Sequence, residues 1–506
     1  MLKPIDRFLN SITMYRLMLL GLAVLSVIAV ILAFAGVLRY SALGMVLGVF
    51  VLLVICQGSN KLLAMVVKAP ANRESAYITA LILFLIMPPA QTARGILVLV
   101  LAGLLAMASK YVLAIRGKHL FNPAAVSALV LALLGIGAAS WWVGVGNWIM
   151  FGAVTIFGLL MVRKLRKFSM FFAFFITVCL AIVINGAKTG MEPGAVVKNI
   201  FLWWPIMFFA AVMFTEPLTT PPSRRLQIVY GVLVGLLFAL PYKLGPFYSI
   251  PEFALIAGNL FSYLVSPKIR LKLKLKQKLE IGRGIFEFVF LPNRALAFAP
   301  GQYLEWTLPH QKPDSRGNRR YFTVASSPTE RELRIGVKIP EKASSFKSAL
   351  KNLKAGDGLV AGQLAGDFVL PKDKTQKIAG VAGGIGITPF RSMVKHMLDK
   401  GEKRDFTIFY TCSDPSEFVF KDIFEQAKSL GVKVFYVITE PKNAPANWAG
   451  LTGFLSAEKV KAACPDFVER RFFLSGPNVM VDAYKKLLTG MGVSRGNIIT
   501  DYFPGY

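Results

Sequence analysis

The stretch KIAGVAGGIGITPFRSMVKHMLDKG, residues 377–401, passes from a short apolar segment through a glycine turn into an amphipathic segment. This order predicts a strand, a tight turn and a helix. It returns in RRFFLSGPNVMVDAYKKLLTGMG, residues 470–492, and two more apolar segments, 405–414 and 433–440, lie between the two. Strands that alternate with helices predict a doubly wound parallel α/β sheet, which binds ligands at the carboxyl ends of its strands.

The region before this sheet carries a different pattern. RLKLKLKQKLEI, residues 270–281, alternates basic and apolar residues, which is the period-two pattern of a half-buried strand. Four shorter segments with Gly and Pro turns follow it, at 284–292, 301–309, 319–328 and 332–340. We therefore expect a small antiparallel β-barrel over residues 268–372 and the α/β domain over residues 373–506.

The first half of the chain is too apolar for an ordinary soluble protein. The whole chain of 506 residues is 55% hydrophobic with a mean hydropathy of +0.54, and only five of its 28 acidic residues precede Pro267. A membrane-spanning helix needs about 20 mostly apolar residues. Residues 1–267 are accordingly predicted to form a multi-pass α-helical membrane domain. Its ten candidate spans centre near Val27, Val49, Leu83, Leu101, Val130, Val154, Phe175, Phe208, Leu233 and Leu255.

The distribution of basic residues predicts the orientation of these spans. With the N-terminus inside, the inner segments hold 15 Lys and Arg residues and the outer segments hold five. Ten spans return the chain to the cytoplasm, so both termini are expected on the cytoplasmic side of the inner membrane. The net charge of +30 is concentrated in these loops and in the strand after the last span, which favours anionic lipid headgroups over nucleic acid as the partner.

Two patterns recur in the halves of the membrane region. Residues 75–89 and 208–222 are apolar segments that end at Pro-Pro, and residues 118–129 and 254–267 each place an Asn beside an apolar helix. Five spans followed by five more would form inverted repeats, whose broken helices often surround a site near the bilayer midplane. The alternative is that Pro simply ends these helices at the interface. Glu216 is a functional candidate at membrane depth, or else an interfacial carboxylate paired with Arg224 or Arg225.

Residues 60–267 resemble a membrane subunit shared by two electron-transport systems. The segments GKHLFNPAA, MFTEPLTTPPSRRLQIVYG and PEFALIAGNLFSYLVSP are similar to the D subunit of the Rnf complex and the B subunit of the sodium-translocating NADH:quinone reductase. That family carries a covalent FMN on a threonine in a long outer loop. The corresponding stretch here, LLGIGAASWWVGVGNW, is short and lacks threonine. The resemblance therefore implies at most a noncovalent FMN or riboflavin in the membrane domain.

Residues 268–506 resemble the ferredoxin–NADP reductase family, which joins an FAD-binding barrel to an NAD(P)-binding sheet. Arg-Tyr-Phe-Thr at 320–323 is similar to the family's Arg-x-Tyr-Ser/Thr. The resemblance implies that Arg320 and Ser345 bind the flavin phosphates, because a guanidinium fork suits phosphate. It also implies that the adjacent aromatic residues cover the flavin ring and that the hydroxyl of Thr323 reaches flavin N5. The cofactor-binding candidates in this barrel are Arg320, Tyr321, Phe322, Thr323 and Ser345.

The glycine turns and the C-terminus supply the other candidates. Backbone amides at a glycine turn that opens a helix can bind a pyrophosphate. Ser475 replaces the family's nicotinamide-side cysteine, and Asp501 with Phe503 resembles its terminal Glu-x-Phe. Thr323, Ser475 and Asp501 are therefore the catalytic candidates. The remaining binding candidates are Gly383, Gly384, Gly386, Thr388, Pro389, Gly476, Pro477 and Phe503.

The substrate and the acceptor follow from the same resemblances. Asp414 follows Ser413 where NADP enzymes of the family place basic residues, and a carboxylate repels a 2′-phosphate, so NADH is favoured over NADPH. The four cysteines have neither metal-ligand nor redox-motif spacing, so no metal site is expected. The expected function is electron transfer from NAD(P)H through FAD to a carrier in the membrane domain and on to an extracytoplasmic acceptor such as a flavoprotein. The alternatives are an NAD(P)H:quinone reductase without transmembrane electron transfer and a redox-regulated ion or solute transporter.

Overall fold

The chain folds as two compact units in the computed structural model. One unit takes in Met1–Ser266 and the other Pro267–Phe503. The structure describes residues 4–5, 8–9, 12–67, 73–115, 118–245, 247–266, 269–311, 313–314 and 317–501. The two units differ in secondary structure. The first is mainly helical, whereas the second contains two six-stranded β-sheets.

The first unit consists of helices with two short β-hairpins. Polar side chains begin several of the helices, because Thr13, Ser41, Thr92 and Asn147 each accept a hydrogen bond from a backbone N–H of the first turn. The elements are α1 (Met14–Phe34), α2 (Ala42–Val66), α3 (Arg73–Ile86), α4 (Ala93–Val112), β1 (Ala114–Ile115), β2 (Lys118–His119), α5 (Pro123–Leu133), α6 (Trp148–Leu165), α7 (Phe168–Lys188), α8 (Pro193–Lys198), α9 (Ile206–Phe208), α10 (Arg224–Ala239), β3 (Lys243–Leu244), β4 (Phe247–Tyr248) and α11 (Pro251–Val265).

All ten predicted span centres lie in helices of this unit, but the helices differ in length. Five are long and apolar enough to cross a membrane, namely α1, α2, α4, α6 and α7. A sixth span results if Pro193–Trp203 and Ile206–Met213, which are bent by 45°, form one broken crossing. The centres at Leu83, Val130, Leu233 and Leu255 lie in helices of 14, 11, 16 and 15 residues. Five membrane-capable helices are therefore established among the described residues, and ten spans stay a prediction.

The order of elements repeats within the unit. A long helix, a two-stranded hairpin and a short helix that begins with proline occur as α4–β1–β2–α5 and again as α10–β3–β4–α11. The two Asn residues of the repeated motifs occupy different positions, since Asn122 caps α5 and Asn259 lies inside α11. They nevertheless meet, because the backbone N–H of Asn122 donates to the side-chain oxygen of Asn259 over 2.9 Å.

The second unit begins with an antiparallel sheet of six strands. Its strands are β5 (Arg270–Gly282), β6 (Ile285–Pro292), β7 (Tyr303–Thr307), β8 (Arg319–Thr323), β9 (Leu333–Lys338) and β10 (Gly358–Ala365), and α12 (Ser345–Lys351) lies between the last two. The strand order is β8-β7-β10-β5-β6-β9. The alternating residues Leu271, Leu273 and Leu275 are buried as the sequence predicts, in a core with Phe288 and Trp306.

A parallel sheet completes the unit. Its elements are β11 (Ile378–Gly383), α13 (Thr388–Lys400), β12 (Phe406–Cys412), α14 (Lys421–Gln426), β13 (Val432–Ile438), β14 (Leu451–Thr452), α15 (Ala457–Ala463), β15 (Arg471–Ser475), α16 (Asn478–Gly490) and β16 (Ile498–Thr500). The order is β14-β13-β12-β11-β15-β16, with every pair parallel. Strands β12 to β14 are added on one side of β11 and strands β15 and β16 on the other, so the turns after β11 and β15 lie next to each other at the carboxyl ends of the strands.

Candidate functional site

A cavity of about 940 Å³ lies at the carboxyl ends of the parallel strands and extends to β8 of the antiparallel sheet. The turns after β11 and β15 form one wall, because these strands are neighbours in the sheet. Eleven of the predicted site residues line it, namely Tyr321, Phe322, Thr323, Gly383, Gly384, Gly386, Thr388, Ser475, Gly476, Pro477 and Asp501. Pro389 is buried at the start of α13, and Phe503 lies outside the described residues.

The two glycine turns pack backbone against backbone. A Cβ atom on Gly386 would lie 2.4 Å from the carbonyl oxygen of Ser475 and 2.8 Å from the Cα of Gly476. Gly476 itself has a φ of +152°, and a Cβ there would lie 3.1 Å from the Cα of Gly383. Glycine is required at both positions, because larger residues would push the turns apart. The close approach places the glycine backbone of both turns along the floor of the cavity, beside the side chain of Met480.

The three catalytic candidates form one hydrogen-bonded cluster in this cavity. The hydroxyl of Ser475 donates to Asp501 over 3.2 Å, and the hydroxyl of Thr323 also bonds to this carboxyl group. Asp501 is held in place by its own N–H, which donates to the carbonyl of Leu474 over 2.9 Å. Burial raises the pKa of Asp501 from 3.8 to about 7, against the opposing effect of the two hydroxyls. Asp501 can thus take up or release a proton near neutral pH.

Arg320 and Ser345, the two phosphate candidates, do not line the cavity. The guanidinium of Arg320 pairs with the carboxylate of Asp314 over 3.1 Å and lies over the ring of Phe346. The N–H of Ser345 donates to the same carboxylate over 3.2 Å, and its hydroxyl accepts from the N–H of Asp314 over 2.9 Å. Arg320 and Ser345 therefore share one anionic partner in the structure, and this partner is the carboxylate of Asp314 from the same chain.

Sequence reasoning missed several residues of the cavity. Lys347 lies on its wall, and its ammonium donates to the carbonyl of Lys338 over 2.7 Å. Met480 and Phe454 also line the cavity, the latter with 76% of its surface exposed. Lys347 follows Ser345 by two residues, so the phosphate motif already pointed to this segment. Phe454 had no comparable signal, because it follows the two-residue strand β14.

A second polar cluster lies in the helical unit. His119 and Glu216 form a pair at 2.9 Å, and the side-chain amide of Asn122 donates to the other oxygen of Glu216 over 3.0 Å. Asn259 continues the network, because its amide donates to the hydroxyl of Tyr230 over 3.1 Å. The residue that contacts the Glu216 carboxylate is thus His119, and not the predicted Arg224 or Arg225. The cluster joins both Asn motifs to the segment that carries Glu216.

The residues of the first cavity fit a flavin and a nicotinamide. Aromatic rings and a hydroxyl from β8 face a wall of glycine backbone, and one buried carboxyl group stands between them. An isoalloxazine ring needs apolar walls and a few polar groups at its edge, whereas a dinucleotide pyrophosphate needs free backbone amides. The cavity offers apolar walls, a few polar side chains and glycine backbone in one continuous space.

Comparisons with known proteins agree with this geometry. Residues 381–486 match the family described as "Oxidoreductase NAD-binding domain". The chain is 27% identical over 209 residues to the glycine betaine monooxygenase reductase subunit of Pseudomonas aeruginosa, covering 40% of this chain and 56% of that protein. It is 28% identical over 240 residues to flavohemoprotein A of Dictyostelium discoideum, covering 45% and 58%. The chain thus spans a little more than half the length of the curated relatives it matches.

Solved structures are similar to the chain at lower identity. The FAD/NAD-binding domain of a nitric oxide dioxygenase from Vibrio cholerae is 22% identical, with 46% of this chain and 98% of that chain covered and a TM-score of 0.41. The sequence matches and the NAD-binding family place the C-terminal half of the chain among the NAD(P)H- and FAD-dependent oxidoreductases.

Proposed function

We propose that the chain is a membrane-bound oxidoreductase that passes electrons from NADH through FAD to a carrier in its helical half and on to an extracytoplasmic acceptor. The observation that carries this proposal is the meeting of Thr323, Ser475 and Asp501 beside the two glycine turns. The same chain contains five helices able to cross a membrane. An oxidoreductase site and a membrane domain in one polypeptide imply a membrane-associated acceptor.

We assign two roles to the residues of the cavity, namely binding of the cofactors and uptake of a proton. FAD, when bound, accepts the two electrons of NADH as hydride and returns them one at a time. Phe322 and Tyr321 would bind the ring, and the turns at Gly383–Thr388 and Ser475–Pro477 would hold the dinucleotide. Asp501 would take the proton that each oxidised NADH leaves behind, since a one-electron acceptor removes electrons only.

The helical half is proposed to carry the electrons outward. Its resemblance to the Rnf and NADH:quinone reductase subunits supports a noncovalent FMN or riboflavin between the repeats. A single flavin on the cytoplasmic side cannot pass electrons across a bilayer about 30 Å thick, so a second carrier or a quinone is required. The polar cluster of Glu216, His119 and Asn122 supports a functional site in this half, because ionisable groups in apolar segments are costly.

Extraction of cofactors from the purified protein tests this function, together with an assay in sealed vesicles. FAD with FMN or riboflavin, and reduction of an impermeant external acceptor by internal NADH, are the expected results. FAD alone with quinol formation would show a quinone reductase without transmembrane transfer. Transport activity that continues without NADH and survives Arg320→Ala would show a redox-regulated transporter. A colourless protein that neither NADH nor NADPH can affect would overturn the proposal.

Arg320→Ala is expected to weaken FAD binding about tenfold to a hundredfold, because hydrogen bonds to charged groups are worth ~1.5–3 kcal/mol each. FAD retained through dialysis, measured by absorbance, checks this. Asp314→Asn should retain FAD at least as well as the wild type, since the Asp314 carboxylate competes with phosphate for Arg320. The exposed residue Arg331 provides a control, and Arg331→Ala should leave retention unchanged. Weaker retention in Asp314→Asn would show that Asp314 orients Arg320 instead.

A further inference from the structure

Two carboxylates follow strand β12, and the structure gives them different surroundings. Asp414 directly follows Ser413, but its carboxylate turns back into its own loop. It accepts from the N–H of Ser416 over 2.9 Å and from the hydroxyl of Ser416 over 2.6 Å. Asp414 does not line the cavity that holds the glycine turns. Its hydrogen bonds already serve the local turn.

Glu417 lies three residues further on and does line that cavity. Its carboxylate accepts from the hydroxyl of Ser413 over 3.3 Å, so it sits at the end of β12. The backbone of this turn is held by Tyr410 of β12, whose hydroxyl donates to the carbonyl of Glu417 over 3.2 Å. Only 13% of the Glu417 side chain is exposed, so its position is well defined.

Lys338, at the end of β9, pairs with Glu417 over 2.6 Å and lines the same cavity. The ammonium belongs to the antiparallel sheet and the carboxylate to the parallel sheet. The pair also borders a second cavity of about 770 Å³, whose wall carries Arg283 and Lys351 as further cations. The same wall also carries the carboxylates of Glu280, Glu341 and Asp414, so it is mixed in charge, and Lys338 is the cation paired directly with Glu417.

We propose that Glu417, neutralising Lys338 and facing Ser413, is the residue that selects NADH over NADPH, in place of Asp414. The inference rests on the proposed NADH oxidation and names the group that decides its coenzyme. A carboxylate after the second strand of a nucleotide-binding sheet can accept hydrogen bonds from ribose hydroxyls, whereas it repels a 2′-phosphate. While the pair is intact, Glu417 also keeps the Lys338 ammonium from binding that phosphate.

The distinguishing feature of this arrangement is that the cation needed for NADPH is already present. Removal of the Glu417 charge leaves the Lys338 ammonium without its paired carboxylate on the wall of the cavity. Glu417→Gln keeps the size and hydrogen-bonding ability of the side chain, so it changes charge with little effect on packing. The single substitution should therefore both remove repulsion and release an attractive cation.

The test compares four forms of the full-length protein by kcat/KM for NADH and NADPH. Glu417→Gln is expected to shift the NADPH-to-NADH ratio toward NADPH by at least about tenfold. The double variant Glu417→Gln with Lys338→Gln should lose most of that shift. Asp414→Asn is the comparison variant, because it removes a neighbouring carboxylate that lines only the second cavity, and its ratio should shift less than that of Glu417→Gln.

The outcomes separate this inference from the proposed function. A ratio that shifts in Asp414→Asn but not in Glu417→Gln would overturn the assignment and restore Asp414 as the selecting residue. A shift in the double variant equal to that of Glu417→Gln would overturn the role of Lys338. If neither nucleotide bleaches the flavin of the wild type, the proposed function fails instead, and this failure is visible before any ratio is formed.

Discussion

Asp501→Asn is expected to slow steady-state NADH oxidation about a hundredfold, which is within the range of general acid–base catalysis. Each NADH that gives its electrons to a one-electron acceptor leaves one proton, and asparagine cannot accept it. The transfer from NADH to the flavin needs no such base, so bleaching in a single turnover should change little. Stopped-flow absorbance and steady-state rates, measured on the same preparation, separate the two steps.

The pH dependence provides an independent readout of the same residue. The pKa of Asp501 is raised to about 7 by burial, so wild-type turnover should rise as the pH passes through 7 and the carboxylate forms. The profile of Asp501→Asn should be low and flat across this range. An equal loss of bleaching and turnover would show instead that Asp501 acts in binding or hydride transfer. Asp422→Asn, at an exposed carboxylate on α14, is the control and should match the wild type.

Stability should change with pH in the opposite direction to turnover. The folded pKa of Asp501 lies above the unfolded value of 3.8, so the fold favours the protonated form. The contribution of this group to the free energy of unfolding is complete below about pH 4 and is lost as the pH rises toward 7. The thermal midpoint of Asp501→Asn should therefore rise relative to the wild type between pH 5 and pH 8.

Gly386→Ala is expected to lower kcat/KM for NADH by at least about tenfold and to lower the thermal midpoint by several degrees. The new methyl group would lie 2.4 Å from the carbonyl oxygen of Ser475, and backbone cannot rotate away as a side chain can. Overpacking of this kind costs ~1–3 kcal/mol and would separate the two turns that hold the dinucleotide. Thermal unfolding and steady-state kinetics measure the two effects.

Gly490→Ala is the matched control for this substitution. Gly490 ends α16, and a Cβ there would meet no atom within 4 Å. Alanine at such a position should be neutral or slightly stabilising, because it restricts the unfolded chain. If Gly386→Ala behaves like Gly490→Ala, the turns after β11 and β15 are not in the close contact seen here, and the floor of the cavity has another shape.

Periodicity and turn chemistry carried most of the fold prediction. Alternating Lys and Leu in residues 270–281 placed the leucines inside the antiparallel sheet, because side chains alternate faces along a strand. The glycine turns were recognised from their position between an apolar strand and a helix. The sixth strand, β10, was not predicted, since GLVAGQLA contains two glycines and few branched residues. The short helices α5 and α11 leave the number of membrane crossings at five or six by length and composition.

The residues of the catalytic cluster could be named individually from their motifs, yet their contact depends on distant parts of the chain. Thr323, Ser475 and Asp501 come from three strands or strand ends separated by up to 178 positions, and no local pattern encodes a hydrogen bond over that range. The same holds for charge pairs. The position of Asp414 directly after Ser413 in the sequence made it the expected residue for selecting NADH over NADPH. The pair between Lys338 and Glu417 forms only because the two sheets pack against each other.

The amino-acid order alone was sufficient for the apolar first half, the strand-rich second half and the two glycine turns, because hydrophobic period and backbone freedom act over a few neighbouring residues. Three contacts were decided only in the folded chain. Glu417 lines the cavity, Asp314 pairs with Arg320, and His119 contacts Glu216. Side-chain direction at these positions depends on the packing of elements far apart in sequence, and short-range preferences are too weak to determine it.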